Sequence, residues 1–153
     1  MPGKVIALAG PTAVGKTAVS IELAKLIDGE IVSADSVAVY RGLDIGSAKP
    51  TVEECKEAVF HLIDICDPGI PFSAGDFQKA AFDAINNILS RSKAAIVAGG
   101  SGLYLKAAID GLNLTLPGED PEFRKRMRQD ADKFGVDYIH QKLVEIDPVS
   151  ADK

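Results

Sequence analysis

The sequence contains no tryptophan, two cysteines, two histidines and no apolar run long enough to cross a bilayer. Each shortage excludes something. Cys55 and Cys66 are too few to build the disulfide framework of a small secreted domain, and no second Cys/His pair completes a zinc site. Both are expected to be reduced thiols, buried or half-buried. His61 and His140 stand apart from each other and are expected to pack rather than to ligate. The apolar run nearest the N-terminus, Val5–Ala9, is far short of the roughly 20 residues of a membrane span and too short for a signal-peptide core. The expectation is therefore an untargeted, cytoplasmic chain with no membrane partner. Positive charge is also in deficit: 17 Lys and Arg against 22 Asp and Glu leave a net charge of −5. Neither residues 1–116 nor residues 117–153 are basic overall, which argues against bulk nucleic-acid binding but not against a local basic patch.

What is present is the composition of an ordinary globular chain: 153 residues, 46% apolar and 25% charged, enough to bury a core without staples. Val5–Ala9 ends at Gly10 and has the pattern of a strand buried on both faces. Val19, Leu23, Leu26 and Ile27 recur at helical spacing, and Asp28-Gly29 stops that helix. Glu30–Ser33, Leu62–Ile65 and Ala94–Ala98 read as further strands. Thr51 with Glu54 forms a capping box, and Ser73 with Asp76 opens a longer helix whose Phe77, Ala81, Ile85 and Ile88 share one face. Another helix follows Gly99-Gly100-Ser101-Gly102 and ends at Gly111. Strand and helix thus alternate about four times, which predicts an α/β fold with a parallel sheet covered by helices and its ligands at the carboxyl ends of the strands. The texture changes near Pro117. Asp120-Pro121 starts a polar helix ending at Gly135, Val136–Ile146 forms a second, and Asp147-Pro148 begins another element. The expected division is therefore a core over 1–116 and a helical segment over 117–153.

Gly10-Pro11-Thr12-Ala13-Val14-Gly15-Lys16-Thr17 satisfies the G-x-x-x-x-G-K-[ST] pattern, with an apolar strand entering it and a helix leaving it. Backbone N–H groups converge there on an anion and the helix adds its positive end. Lys16 supplies a point charge, and Thr17 offers the hydroxyl that usually binds Mg²⁺. The motif predicts a diphosphate or triphosphate and does not say which. Asp35, just past the second strand, is placed to act as a general base or to hold a metal through water, and equally to cap a turn. Asp64 and Asp67 compete for the metal role. Gly99–Gly102 matches neither a dinucleotide fingerprint nor a nucleophile elbow, which leaves a small-residue loop with one hydroxyl, Ser101. Arg124-Lys125-Arg126-Met127-Arg128 spreads its cations around a helix, as a solvated helix does, or contacts phosphates.

Gly10–Thr17, Ile31-Val32-Ser33-Ala34-Asp35-Ser36, the block Val39–Pro50, His61–Ile65, Ser73–Gln78 and Gly99–Tyr104, in that order, resemble the bacterial tRNA dimethylallyltransferases. The resemblance spans the whole chain, and the Val39–Pro50 block is its most specific part. It implies a P-loop NTPase-like sheet with helices on both faces, followed by the start of a helical insertion domain that grips the anticodon arm of tRNA. Family members are longer, so it also implies an N-terminal part. The implied reaction moves a dimethylallyl group from its diphosphate to N6 of the adenosine on the 3′ side of the anticodon. The P-loop then holds the leaving diphosphate with Mg²⁺ rather than ATP, with Asp35 as base, Lys16 and Ser101 in catalysis, and Asp35, Ser36, Val37, Ala38, Ser101 and Arg124 against tRNA. Ala38 stands where the family often has Gln, and Ser101 where Thr is usual. A monomer is expected. A P-loop small-molecule kinase, an adenylate prenyltransferase and a diphosphate-binding module without turnover are the alternatives.

Overall fold

Along the two central strands, consecutive apolar side chains go to opposite layers, and that alternation sorts the helices onto two faces. The computed structural model describes residues 4–112, 114 and 120–152. It divides into two compact units, Met1–Leu114 and Thr115–Lys153; Pro117 lies outside the described residues. The first unit contains β1 (Val5–Ala9), α1 (Lys16–Ile27), β2 (Gly29–Ser33), α2 (Val52–Glu57), β3 (Phe60–His61), α3 (Ala74–Ser90), β4 (Ala94–Gly99) and α4 (Gly102–Ile109). The sheet runs β1-β4-β2-β3, and every pairing in it is parallel. Ile31 pairs in register with Ile96, and both pack with Ile21 and Ala24 of α1. Their neighbours Val32 and Val97 join Phe77, Ala81, Ile85 and Ile88 of α3 and Leu105 of α4 on the other face. This is the expected α/β arrangement, and the expected face of α3 is the buried one. Both capping boxes are formed, by Thr51 with Glu54 and by Ser73 with Asp76.

Several expectations are corrected. β1 is not buried on both faces: it is the edge strand of the described sheet, and Val5 remains 46% exposed. The buried residues of α1 are Ser20, Ile21 and Ala24, whereas Val19 and Leu26 face solvent. The helix leaves a left-handed Gly15 (φ 85°), so the loop, rather than the helix's own apolar spacing, decides which side meets the sheet. Ser20 tolerates burial because its hydroxyl donates to the Thr17 carbonyl at 2.8 Å. Finally, Leu62–Ile65 is not a strand. The third strand is Phe60–His61, and Leu62 (φ 63°) and Asp64 (φ 55°) then turn through left-handed conformations. The segment is then tied to residues 38–40, by Asp64 N to the Ala38 carbonyl, Ile65 N and Cys66 N to the Val39 carbonyl, and an isolated parallel bridge between Tyr40 and Cys66. Cys66 is buried but Cys55 is exposed, so only one thiol is as expected.

His61 is not isolated either. Its Nε2 lies 2.8 Å from Glu30 Oε2, and Arg91 grips the same carboxylate with Nη1 at 2.5 Å and Nη2 at 2.8 Å. Lys93 adds a contact at 3.3 Å. The Glu30 side chain is 3% exposed, so this cluster clamps β2 to the segment between α3 and β4. The Arg91 guanidinium above all, against the opposing effect of burial, lowers the Glu30 pKa to about 2 from an ordinary 4.5. A carboxyl depressed on folding stabilises the protein above its unfolded pKa, and that stability is lost as the pH falls towards the folded value. Glu30→Gln is therefore expected to cost about 3 kcal/mol at neutral pH. It should also flatten the loss of stability between about pH 4.5 and pH 2. Denaturant titrations of both proteins across that range check this.

The second unit holds α5 (Pro121–Phe134), α6 (Val136–Ile146) and α7 (Pro148–Ala151). Asp120 caps α5 by accepting from the Phe123 N–H at 2.9 Å, with Pro121 in the first turn as expected. Lys142 of α6 reaches Asp130 of α5 at 3.1 Å. Asp147-Pro148 begins the single turn α7, and His140 Nε2 bonds the Ala151 carbonyl at 3.0 Å.

Candidate active site

The loops that leave the carboxyl ends of β1, β2 and β4 enclose a cavity of about 580 Å³ in the first unit, lined by Lys16, Thr17, Asp35, Gly99 and Gly100 among others. The P-loop owes its shape to two left-handed residues, Ala13 (φ 65°) and Gly15 (φ 85°). Gly15 caps α1 without a side-chain bond, so the N–H groups of the first helical turn stay open towards the cavity mouth. Lys16 Nζ donates to the carbonyl of Pro11, a neutral acceptor that an anionic oxygen outcompetes. Gly100 sits where an added Cβ would lie 3.4 Å from the Gly10 carbonyl and 3.9 Å from Lys16 Nζ, so the loop after β4 closes against the P-loop.

Asp35 closes its turn and also faces the cavity. Oδ1 accepts from the N–H groups of Val37 at 2.8 Å and Ala38 at 3.2 Å, which fixes the turn. The carboxylate also lines the cavity with Lys16 and Thr17. Oδ2 carries no hydrogen bond among the described residues, which leaves it able to take a proton. Ser101 reaches back to this turn: Ser36 N donates to Ser101 Oγ at 3.1 Å, and the two hydroxyls are 3.3 Å apart. Ser36 and Val37 are exposed. Ala38 is 1% exposed, its N–H goes to Asp35 and its carbonyl accepts from Asp64 N, so its side chain has no surface to offer a partner. Arg124 lies in the second unit, on α5, with Lys125 and Arg128 beside it along one shallow surface depression. Arg126 turns instead over the Phe123 ring, 5.8 Å from its centroid.

Asp64 and Asp67 are spoken for. Asp64 pairs with Lys49 at 2.7 Å and Asp67 with Arg41 at 2.6 Å. Among the described residues no three Asp, Glu, His or Cys side chains converge as a metal cage. A Thr17 hydroxyl and an Asp35 carboxylate on the same cavity are oxygen donors only, and they fit an ion such as Mg²⁺ that keeps most of its shell as water and substrate phosphate. The loop Gly46–Pro50 also lines the cavity, as do Ile31 and Phe60. Motif reading does not find these, because the loop has no periodicity; the one sequence signal there is the Val39–Pro50 block itself.

A family model described as IPP transferase matches residues 38–153. A tRNA dimethylallyltransferase of Trichlorobacter lovleyi is 49% identical over 148 residues, which is 97% of this chain and 48% of that protein. The crystal structure of a full-length tRNA isopentenylpyrophosphate transferase from Bacillus halodurans superposes with a TM-score of 0.71 at 45% identity, covering 97% of this chain and 49% of the other. A eukaryotic dimethylallyltransferase acting on tRNA gives a TM-score of 0.81 at 32% identity over 97% of this chain and 37% of its own. The chain spans about half the length of the relatives it matches. No described helix is long and apolar enough to cross a membrane. With a P-loop and an acidic turn sharing one cavity, and with matches that run from the first strand into the last helices, the chain belongs to the IPP transferase family.

Proposed function

We propose that this chain supplies the donor-binding and proton-accepting part of a tRNA dimethylallyltransferase acting in the cytoplasm. The observation that carries the proposal is the placement of the P-loop and Asp35 on one cavity. The N–H groups of the P-loop and Lys16 bind the diphosphate of dimethylallyl diphosphate and stabilise the charge that grows on it as it leaves. The adenine N6 attacks the allylic carbon, the C–O bond to the diphosphate breaks with its electron pair, and the N6 proton passes to Asp35 Oδ2. An exocyclic amine is a poor nucleophile without such a base. Thr17 would hold a Mg²⁺ that supplies Lewis-acid stabilisation of the diphosphate. Reaching the allylic carbon requires the adenine to leave its stack. The exposed Ser36-Val37 turn, braced by Ser101, suits a contact with the extruded nucleotide. The Arg124, Lys125 and Arg128 face of α5 suits the phosphates of the anticodon arm.

Calorimetry with dimethylallyl diphosphate and with ATP tests the donor assignment. The prenyl diphosphate is expected to bind more tightly; tighter ATP binding with phosphoryl transfer to a small acceptor overturns the proposal. Lys16→Ala is expected to weaken the diphosphate by about 10–100-fold, the worth of one charge-assisted hydrogen bond.

A further inference from the structure

The buried ammonium of Lys49 takes part in none of the steps above. Its side chain is 5% exposed. Nζ donates to Asp44 Oδ1 at 2.7 Å, to Asp64 Oδ1 at 2.7 Å and to the Tyr40 carbonyl at 2.8 Å. A lysine has three N–H donors, and here all three are committed, so none is left for a phosphate. Burial disfavours the charged form, but the hydrogen bonds to Asp44 and Asp64 outweigh it and leave the pKa above the ordinary lysine value. The ammonium stays charged where it sits.

The three acceptors lie on two stretches of chain, Tyr40 and Asp44 on the block that carries Lys49 itself and Asp64 beyond β3. Tyr40 lies at the isolated bridge to Cys66, Asp44 stands in the outer loop, and Asp64 sits in the left-handed segment after β3. The loop has no ladder or helix of its own between Arg41 and Pro50. Apart from Lys49, its internal ties are the bonds from the Ser47 hydroxyl to the carbonyls of Leu43 and Asp44. Yet Gly46, Ser47, Ala48 and Pro50 line the same cavity as Lys16 and Asp35. Resting on the function proposed above, the geometry points to Lys49 as a positioning residue. By pinning Tyr40, Asp44 and Asp64 it fixes the Gly46–Pro50 wall against which the organic group of the diphosphate substrate rests.

The diphosphate itself is the business of the P-loop, which separates the two contributions experimentally. Calorimetry of inorganic diphosphate and of dimethylallyl diphosphate, side by side, is run on the unmodified chain, Lys49→Met and Asp64→Gly. Methionine keeps the length and apolar stem of lysine without its charge. Glycine takes the left-handed backbone of position 64 freely and has no acceptor, so Asp64→Gly removes one anchor and spares the turn. The unmodified chain is expected to favour the prenyl diphosphate. Both variants should hold inorganic diphosphate within about twofold and lose about tenfold of that preference, because a displaced wall costs only the ligand that touches it. An unchanged preference in either folded variant overturns the proposal, as does an equal loss for both ligands. If thermal melting shows that Lys49→Met does not fold, Asp64→Gly decides alone. An unmodified chain that binds inorganic diphosphate but shows no preference sinks the role of the wall and leaves the P-loop assignment standing. Binding of neither ligand removes the donor reading and this inference with it.

Discussion

Asp35→Asn is expected to slow prenyl transfer by about 10²–10⁴-fold, the usual contribution of a positioned general base. It should do so while donor affinity and melting temperature stay near those of the unmodified protein. In the proposed reaction the two oxygens of this carboxylate have separate duties, and the substitution touches only one. Oδ1 accepts from Val37 and Ala38 and closes the turn; asparagine keeps an oxygen there and the turn with it. Oδ2 is replaced by an NH₂ group, which donates hydrogen bonds but takes no proton at neutral pH. In the proposed reaction the donor is held by residues 10–17, on a different loop, so its affinity has no reason to fall. Single-turnover transfer with the complete protein, read by mass spectrometry of the tRNA nucleosides, gives the rate, and calorimetry gives the affinity. A normal rate of modification rules out Asp35 as the base. A parallel loss of donor binding makes it a binding residue instead.

How much of this was legible in the sequence depends on how local the physics is. The capping boxes at Thr51 and Ser73, the buried face of α3 and the P-loop between β1 and α1 are written in spacings of three to eight residues, and each is found where it is expected. The division of Ile31 and Val32 between two layers follows from the period of a strand. What escaped is long-range or conformational. Glu30 meets Arg91 across 61 positions, and neither residue carries a mark of the other. Leu62 looks like a strand residue by its side chain, but it takes a left-handed φ that an apolar residue does not advertise. The face of α1 is set by the turn at Gly15 rather than by where its apolar residues fall. Lys49 reads as one more loop lysine until Asp44 and Asp64 are seen to converge on it. The candidate site was thus half visible: its phosphate end is a local motif, whereas its opposite wall is an assembly of distant residues.

The four-residue stretch Gly99-Gly100-Ser101-Gly102 shows why small residues cannot be interpreted as a group, and it carries a large expected effect on stability. Gly99 ends β4 against the end of β2, where Ala34 N donates to the Ala98 carbonyl at 2.8 Å and Ser101 N donates to the Ala34 carbonyl at 3.3 Å. A Cβ at Gly99 would strike the Ala34 carbonyl and come within 2.8 Å of the Ala34 Cβ. Ala34 is fully buried and cannot retreat. Gly99→Ala must therefore part the two central strands at the end from which Asp35 and Gly100 emerge. Overpacking of about 1–3 kcal/mol and the loss of a backbone hydrogen bond of about 1 kcal/mol together predict a cost of about 2–4 kcal/mol. That is a large share of the roughly 5–15 kcal/mol by which a domain is stable. Diphosphate affinity should fall as well, because the loops from β2 and β4 no longer meet the P-loop in register. Gly102 is the control. It begins α4 with no atom within 4 Å of an added Cβ, so Gly102→Ala is expected to be neutral or to stabilise by up to about 1 kcal/mol through helix propensity. Chemical denaturation of the two variants separates them. Equal costs at both positions contradict the backbone contact at Ala34 as the reason for the first glycine, and a Gly99→Ala protein of normal stability contradicts it outright.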